Sequence, residues 1–395
     1  MYKIQSIQAL RFFAALLVVL DHTMLALIYA GAIPQQYSSL AWLMGEMGVY
    51  VFFVISGFIM LITNEDRFGR EGAIGGFLLR RFIRVAPIYW LFTTWVVWSA
   101  TRNVPGAITP DQILKSYLFI PVENADGQMR PVHGVGWTLN YEMLFYGLFA
   151  LAMAFRFKTG VAAVFGALVV LVVSGMALRW PFDSSEPSTL LQVWTSPILL
   201  TFGVGLLIGL ARKRFSGEPP TLSSWIPCAL MAAPLFAFQL SGSDEISVVW
   251  RICTAVSAIA VVALTAFTKL PALPERILGY GGDASYSLYL VHTIVIGALY
   301  KRLPDIAAYN PVAFFAIAVL ASIFAGFVVR HAIEKPLTRL AWAAIAWCKS
   351  ISNWVRQRPR PSAPSHALEQ PRPQANCAEE LEGGARVRAG TLRGE

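Results

Sequence analysis

Three stretches of the chain hold residues whose types and spacing could do chemistry. The first is ALRFFAALLVVLDHTMLALIYA, Ala9 to Ala30, an apolar run that nevertheless carries Arg11, Asp21 and His22. Eleven residues separate Arg11 from His22, and at about 100° per residue that is close to three helical turns. Both side chains therefore project from one face, roughly 16 Å apart along the axis. A neutral imidazole, with a reference pKa near about 6.5, suits removal of a proton from a hydroxyl. Arg11, near one end, could simply snorkel to lipid headgroups. His22, near mid-span, cannot, and an ionisable group at that depth normally faces the bundle interior or a wet cavity. Asp21 sits about 100° around the helix from His22, so it is not expected to orient the imidazole.

The second stretch, GGFLLRRFIRVAPIYW, brings Arg80, Arg81 and Arg84 to the point where a helix re-enters the membrane. Arg81 and Arg84 are helix neighbours at i, i+3, and their forked donors suit either ordinary topology anchoring or the phosphates of a cytoplasmic anion. Upstream, Ser56-Gly57 in GVYVFFVISGFIML reads as small-residue helix packing. The third stretch is PVHGVGWTLNYEMLFYGLFALAMAF, with Glu142 about one turn inside a helix. It could brace the helix start through backbone donors or face the same cavity as His22. His133 precedes it on a loop, where exposure and inertness are expected. In DASYSLYLVHTIVIGALY, His292 follows Tyr286 and Tyr289, whose hydroxyls are expected to satisfy it.

The elements that must position these residues follow from composition. Of 395 residues, 56% are hydrophobic and 14% charged, which implies a membrane protein. Runs long enough to cross a hydrocarbon core of about 30 Å predict an all-α integral membrane protein of about ten transmembrane helices. They lie near 8–30, 42–62, 83–101, 138–155, 160–178, 193–210, 222–240, 248–268, 285–300 and 312–332. The first has no short apolar region followed by a small-residue cleavage site, so it reads as a retained helix and not a signal peptide. Lys and Arg concentrate in alternate connections, among them Arg67, Arg70, Arg156, Lys158, Arg212, Lys213, Arg214, Lys269 and Arg276, which places both termini in the cytoplasm. The net charge of +9 then comes from this bias and a basic tail, with no reason to invoke nucleic acid. Cys228, Cys253, Cys348 and Cys377 lack metal or disulfide spacing. Residues 1–340 read as one membrane domain. Residues 341–395 read as a cytoplasmic tail, largely disordered and rich in Pro, Gly, Arg and Glu from about Ser350.

Taken in order, these motifs resemble acyltransferase family 3, multi-span membrane enzymes that acylate carbohydrates and other envelope substrates with cytoplasmic acyl-CoA. The resemblance covers roughly Ile4 to Arg339 and rests on Arg11 with His22, FFVISGF from Phe52 to Phe58, Arg81 with Arg84, GWTLNYEMLFY around Glu142, ASYSLYLVH ending at His292, and EKP at Glu334 to Pro336. The order and flavour are most similar to bacterial exopolysaccharide O-acetyltransferases. The resemblance implies transfer of an acetyl or other short acyl group from acyl-CoA, acetyl-CoA above all, to a hydroxyl of an envelope or exported polysaccharide or a lipid-linked glycan. His22 would act as base or acyl relay and Glu142 as a second catalytic residue, while Arg11, Arg81 and Arg84 would hold the CoA phosphates. No metal is implied. A multi-pass location in the inner or plasma membrane and polysaccharide-biosynthesis partners are expected.

Two departures stand out. Many members carry an acid where this chain has Tyr50, and Asp21 just before the histidine is unusual. Some relatives also carry a fused extracytoplasmic hydrolase-like domain, for which this tail is too short, so the membrane domain is expected to act alone or with a separate chain. The competing class is a proton-coupled transporter of a small or carbohydrate-like solute, because intramembrane His, Glu and Arg also mark transport pathways. It would be expected to show internal repeats and interrupted helices, and neither is detected. A third class is a scaffold in which the polar residues only glue helices together.

Overall fold

The computed structural model describes residues 5–104, 106–178, 187–215, 217–221, 223, 225–269 and 271–357, with 272–277 and 349–357 described as backbone alone. Long apolar segments must satisfy every backbone N–H and C=O internally when water is excluded, and the described residues answer with helices. They are α1 (Gln5–Tyr29), α2 (Ser38–Asn64), α3 (Ala73–Asn103), α4 (Pro110–Tyr117), α5 (Trp137–Ala152), α6 (Phe157–Ala177), α7 (Leu190–Trp194), α8 (Leu199–Arg214), α9 (Trp225–Ser241), α10 (Val248–Ala266), α11 (Ala272–Arg302), α12 (Pro304–Tyr309), α13 (Pro311–Val329) and α14 (Lys335–Gln357).

Each of the ten ranges expected from sequence holds a helix. Six helical runs among the described residues are long and apolar enough to cross a membrane by length and composition: Gln5–Tyr29, Gln35–Arg67, Phe157–Ala177, Leu190–Arg214, Val248–Ala266 and Pro311–Cys348. The other four expected spans fall on α3, α5, α9 and α11. Helices α5 and α9 have 16 and 17 residues. Helices α3 and α11 have 31 residues each, but arginines interrupt the first, and Gly, Ser and Asp283 the second. Three of these less apolar helices, α3, α5 and α11, carry most of the polar groups described below.

Helix α1 packs between α2 and α11, α2 also against α8 and α10, and α11 against α13. The α2–α8 approach depends on two glycines. A Cβ on Gly57 would run into the Phe202 carbonyl, and one on Gly205 into the Val54 carbonyl, so the backbones touch where van der Waals packing must hold helices together in lipid. Around this contact Phe202 stacks on Phe53 and Phe145, with ring centroids 4.4 and 4.5 Å apart.

Pro87 lies inside α3, where it removes a ladder hydrogen bond. Two residues earlier the Val85 carbonyl accepts from the Tyr286 hydroxyl of α11 at 2.9 Å, tying the two helices beside the irregularity. After α13 the ladder widens into a π-turn at Arg330–Glu334, a feature that re-aims side chains and is frequent at functional sites.

By its contacts the chain divides into Met1–Ile345 and Ala346–Glu395. The second unit is described as far as Gln357 and is helical there. The tail expected to be disordered lies, from residue 358 on, outside the described residues, as does Cys377.

Candidate functional site

A cavity of about 460 Å³ opens between α1, α2, α3, α5, α11 and the π-turn, within the roughly 300–1,000 Å³ usual for small-molecule sites. Five arginines line it (Arg11, Arg80, Arg81, Arg84 and Arg330) against three carboxylates, Glu142, Asp283 and Glu334. The local balance is positive, which favours a polyanion.

Each charge has a structural reason for its position. Arg11 is half-buried on α1 and donates to Gln8 Oε1 at 3.1 Å, one turn earlier. Arg80, Arg81 and Arg84 leave the first turns of α3. Arg80 donates to Asn64 Oδ1 at 3.3 Å, and the Arg81 guanidinium lies over the Phe77 and Tyr146 rings at 5.6 and 5.8 Å. Arg84 is exposed. Glu142 accepts from Ser56 Oγ at 3.1 Å and from the Tyr146 hydroxyl one turn on. At the π-turn, Glu334 is buried and accepts from both Arg330 and Ser287. Tyr289 and Phe52, in edge contact, form the wall at one part of the cavity.

Beyond Tyr289 lies a histidine cluster. The Tyr289 ring centroid is 6.0 Å from that of His292, and His292 lies edge-on to His22 at 4.9 Å. His22 keeps 34% of its side chain exposed, whereas His292 is fully buried. The His22 Nδ1 stands 3.0 Å from the Val18 carbonyl oxygen. A carbonyl only accepts, so Nδ1 carries the proton and Nε2 the free lone pair. His292 Nδ1 likewise faces the Leu288 carbonyl, at 3.2 Å. The loop before α5 is tied within itself and to α4: Ser116 Oγ accepts from Val132 N at 2.9 Å, and Asn124 Oδ1 accepts from the backbone of Asp126 and Gln128. Arg130 of this loop, stacked at 5.7 Å on Trp42, lies within electrostatic reach of Asp21 and His22.

The structure thus gathers Arg11, Arg81, Arg84 and Glu142 around one cavity. His22 stands apart from its lining, behind Tyr289 and His292. Glu142 does not share a cavity wall with His22, and its partners are side chains, not the backbone donors of the helix start. Arg11 and His22 do share a helix face, but Ala15 between them is packed against Leu288, so the face is not an open channel.

Four further expectations are corrected. Asp21 does turn to His22: its Oδ2 is 3.1 Å from His22 Nδ1. The Cα–Cβ directions diverge by about 100°, yet the imidazole folds back over the preceding turn to the Val18 carbonyl and meets the carboxylate there. His133 is not an exposed loop residue. It is 2% exposed and donates from Nε2 to the Leu290 carbonyl at 3.0 Å, and burial pushes its imidazole down to about 4, which keeps it neutral. Tyr286 and Tyr289 do not satisfy His292; their hydroxyls donate to Val85 and Val135 carbonyls at 2.9 and 2.7 Å. Ser56 does more than pack, since it reaches Glu142, while Gly57 packs as expected.

Residues not singled out from sequence also belong here. Tyr146 and Arg330 could have been found from their i, i+4 spacing to Glu142 and Glu334. Arg130 and Asp283 gave no periodic signal.

Compared with known proteins, residues 4–331 match the model of the acyltransferase domain shared by acyltransferase family 3. The chain belongs to that family. It is therefore an integral membrane acyltransferase, and the helices long and apolar enough to span a bilayer agree with that. It is 34% identical to the exopolysaccharide production protein ExoZ of Rhizobium meliloti (strain 1021) over 303 residues, 75% of this chain and 90% of that protein. It is 25% identical to the acyltransferase MdmB of Streptomyces mycarofaciens over 377 residues, 86% and 92% of the two chains. Nodulation protein 10 of Rhizobium leguminosarum bv. viciae is 25% identical over 283 residues, 64% and 72% of the two. No solved structure matches the chain.

Proposed function

We propose that this acyltransferase moves an acetyl or other short acyl group from cytoplasmic acyl-CoA to a hydroxyl of an envelope or exported polysaccharide or glycolipid. The observation that carries the donor assignment is the cavity with five arginines against three carboxylates. CoA presents several phosphates, and forked guanidinium donors bind them with charge-assisted hydrogen bonds. Arg81 and Arg84 hold these phosphates, with Arg11 deeper on α1. The acceptor class rests on the relationship to a protein named for exopolysaccharide production. The proposal keeps both termini cytoplasmic with about ten spans, the inner or plasma membrane as location, and residues 341–395 as a cytoplasmic tail.

His22 supplies the base. Its Nε2 lone pair takes the acceptor hydroxyl proton as that oxygen attacks the thioester carbonyl. Collapse of the tetrahedral intermediate breaks the C–S bond, and the imidazolium returns the proton to the departing CoA thiolate. If His22 is acylated first, the same Nε2 attacks the thioester and the acceptor oxygen then displaces it, with the proton again passing to the thiolate. Glu142 is the second catalytic residue on the cavity side, held by Ser56 and Tyr146. His22 is not part of the cavity lining, so the thioester has to extend past Tyr289 and His292 to reach the base.

The test is to supply membranes containing the protein with acyl-labelled acetyl-CoA and look for label on polysaccharide. Covalent label on the glycan is the expected result. Solute uptake without covalent label would replace the proposal with a transporter.

A further inference from the structure

Asp21 is a charge with no role in the scheme above. It sits in the middle of α1, 2% exposed, where an ionisable group is costly unless it is used. Three observations at this position point one way. Its Oδ2 lies 3.1 Å from His22 Nδ1. The facing position on α2 is Gly45, and a Cβ built there would collide with that same Oδ2; the helix pair is hollowed to admit the carboxylate. The other oxygen, Oδ1, is buried with no hydrogen-bond partner among the described residues, so helix packing gains nothing from it. A side chain kept only for packing would not need a glycine opposite it and an unsatisfied oxygen beside it.

From this geometry we infer that Asp21 is a positioning residue for His22, forming a carboxylate–imidazole pair whose task is to stabilise the imidazolium during acyl transfer. The inference rests on the reading of His22 as the base or acyl relay. The division of labour on the ring is explicit. The Val18 carbonyl fixes the tautomer, because it accepts from Nδ1 whatever stands at position 21. Asp21 adds a negative charge on the same side, which matters only once Nε2 has taken a proton and the ring is cationic. Arg130, from the loop before α5, opposes that charge from a distance, and His292 faces the ring from α11. Neither replaces the carboxylate. Hydrogen bonds and charges that strengthen only in the transition state raise kcat and leave donor binding alone.

The experiment uses the full-length protein in membranes, with labelled acetyl-CoA as donor and the polysaccharide fraction as acceptor. Asp21→Asn keeps the shape and, through Val18, the tautomer. It is expected to lower kcat by at least tenfold with an unchanged KM for acetyl-CoA, and to move the acid limb of the pH profile to lower pH, since the protonated ring loses its neighbouring carboxylate while Arg130 and His292 remain. Gly45→Ala, which leaves both partners in place but displaces Oδ2, is expected to lower kcat in the same sense and covers the case in which Asp21→Asn inserts poorly. Wild-type kcat and pH profile in a well-inserted Asp21→Asn protein, alongside an inactive His22→Gln, would overturn the role of Asp21 while leaving His22 intact. An active His22→Gln protein would instead remove the reading on which the inference rests.

Discussion

Replacing the two α3 arginines separates donor binding from membrane anchoring. A hydrogen bond to a charged group contributes roughly 1.5–3 kcal/mol, which at about 1.4 kcal/mol per decade is about 10- to 150-fold in affinity. Arg81 is half-buried and its guanidinium is flanked by Phe77 and Tyr146, so little water screens it and its effect belongs in the upper part of that range. Arg84 is exposed, and solvent screening brings it to about tenfold or less. Arg81→Ala is therefore expected to raise the KM for acetyl-CoA more than Arg84→Ala, with kcat changed far less, because a phosphate contact holds the donor in ground and transition states alike. Lysine at either position rescues only in part, since an ammonium cannot form the fork. The assay is initial-rate label transfer in membranes over a range of donor concentrations, normalised to inserted protein. Two well-inserted alanine variants with wild-type KM would refute the reasoning and leave the pair as a topology anchor.

Other expectations follow from separate features. Reporters fused after Arg70 and after Phe215 should read cytoplasmic and one after Gly127 should read outside; the reverse pattern would put the arginines on the wrong side for CoA. Gly57→Ala drives a methyl group into the Phe202 carbonyl, an overpacking that costs about 1–3 kcal/mol. A lowered melting temperature in detergent checks it, and an unchanged one would mean that α2 and α8 separate without cost. Glu142→Gln should lower kcat by roughly 100-fold or more, within the range usual for acid–base groups, in the same labelled-donor assay; unchanged kcat would reduce Glu142 to a partner for Ser56 and Tyr146.

What the sequence disclosed and what it hid have physical reasons. Helix positions were legible because apolar length alone dictates them in lipid, and Arg11, Arg81, Arg84 and Glu142 stood out because charges there are rare. Helical spacing also placed Arg81 with Arg84 correctly. It failed for Asp21 and His22, since a 100° step describes Cβ directions and not where a rotated imidazole ends. His133 was missed as a buried group because its burial comes from a loop tied by Ser116 and Asn124, contacts with no periodic trace. The separation of His22 from the arginine cavity depends on Tyr289 and His292 filling the space between, which only the packing of α11 against α1 decides.

The central claim is that the imidazole of His22 carries the acyl-transfer chemistry. The most direct measurement is transfer of label from acetyl-CoA to polysaccharide by wild-type protein and by His22→Gln and His22→Ala, each quantified for insertion. One polar side chain among some twenty apolar residues should not decide insertion. The expected result is normally inserted variants with transfer reduced to background. Near-normal labelling by either variant would contradict it and pass the role of base to Glu142 or His292.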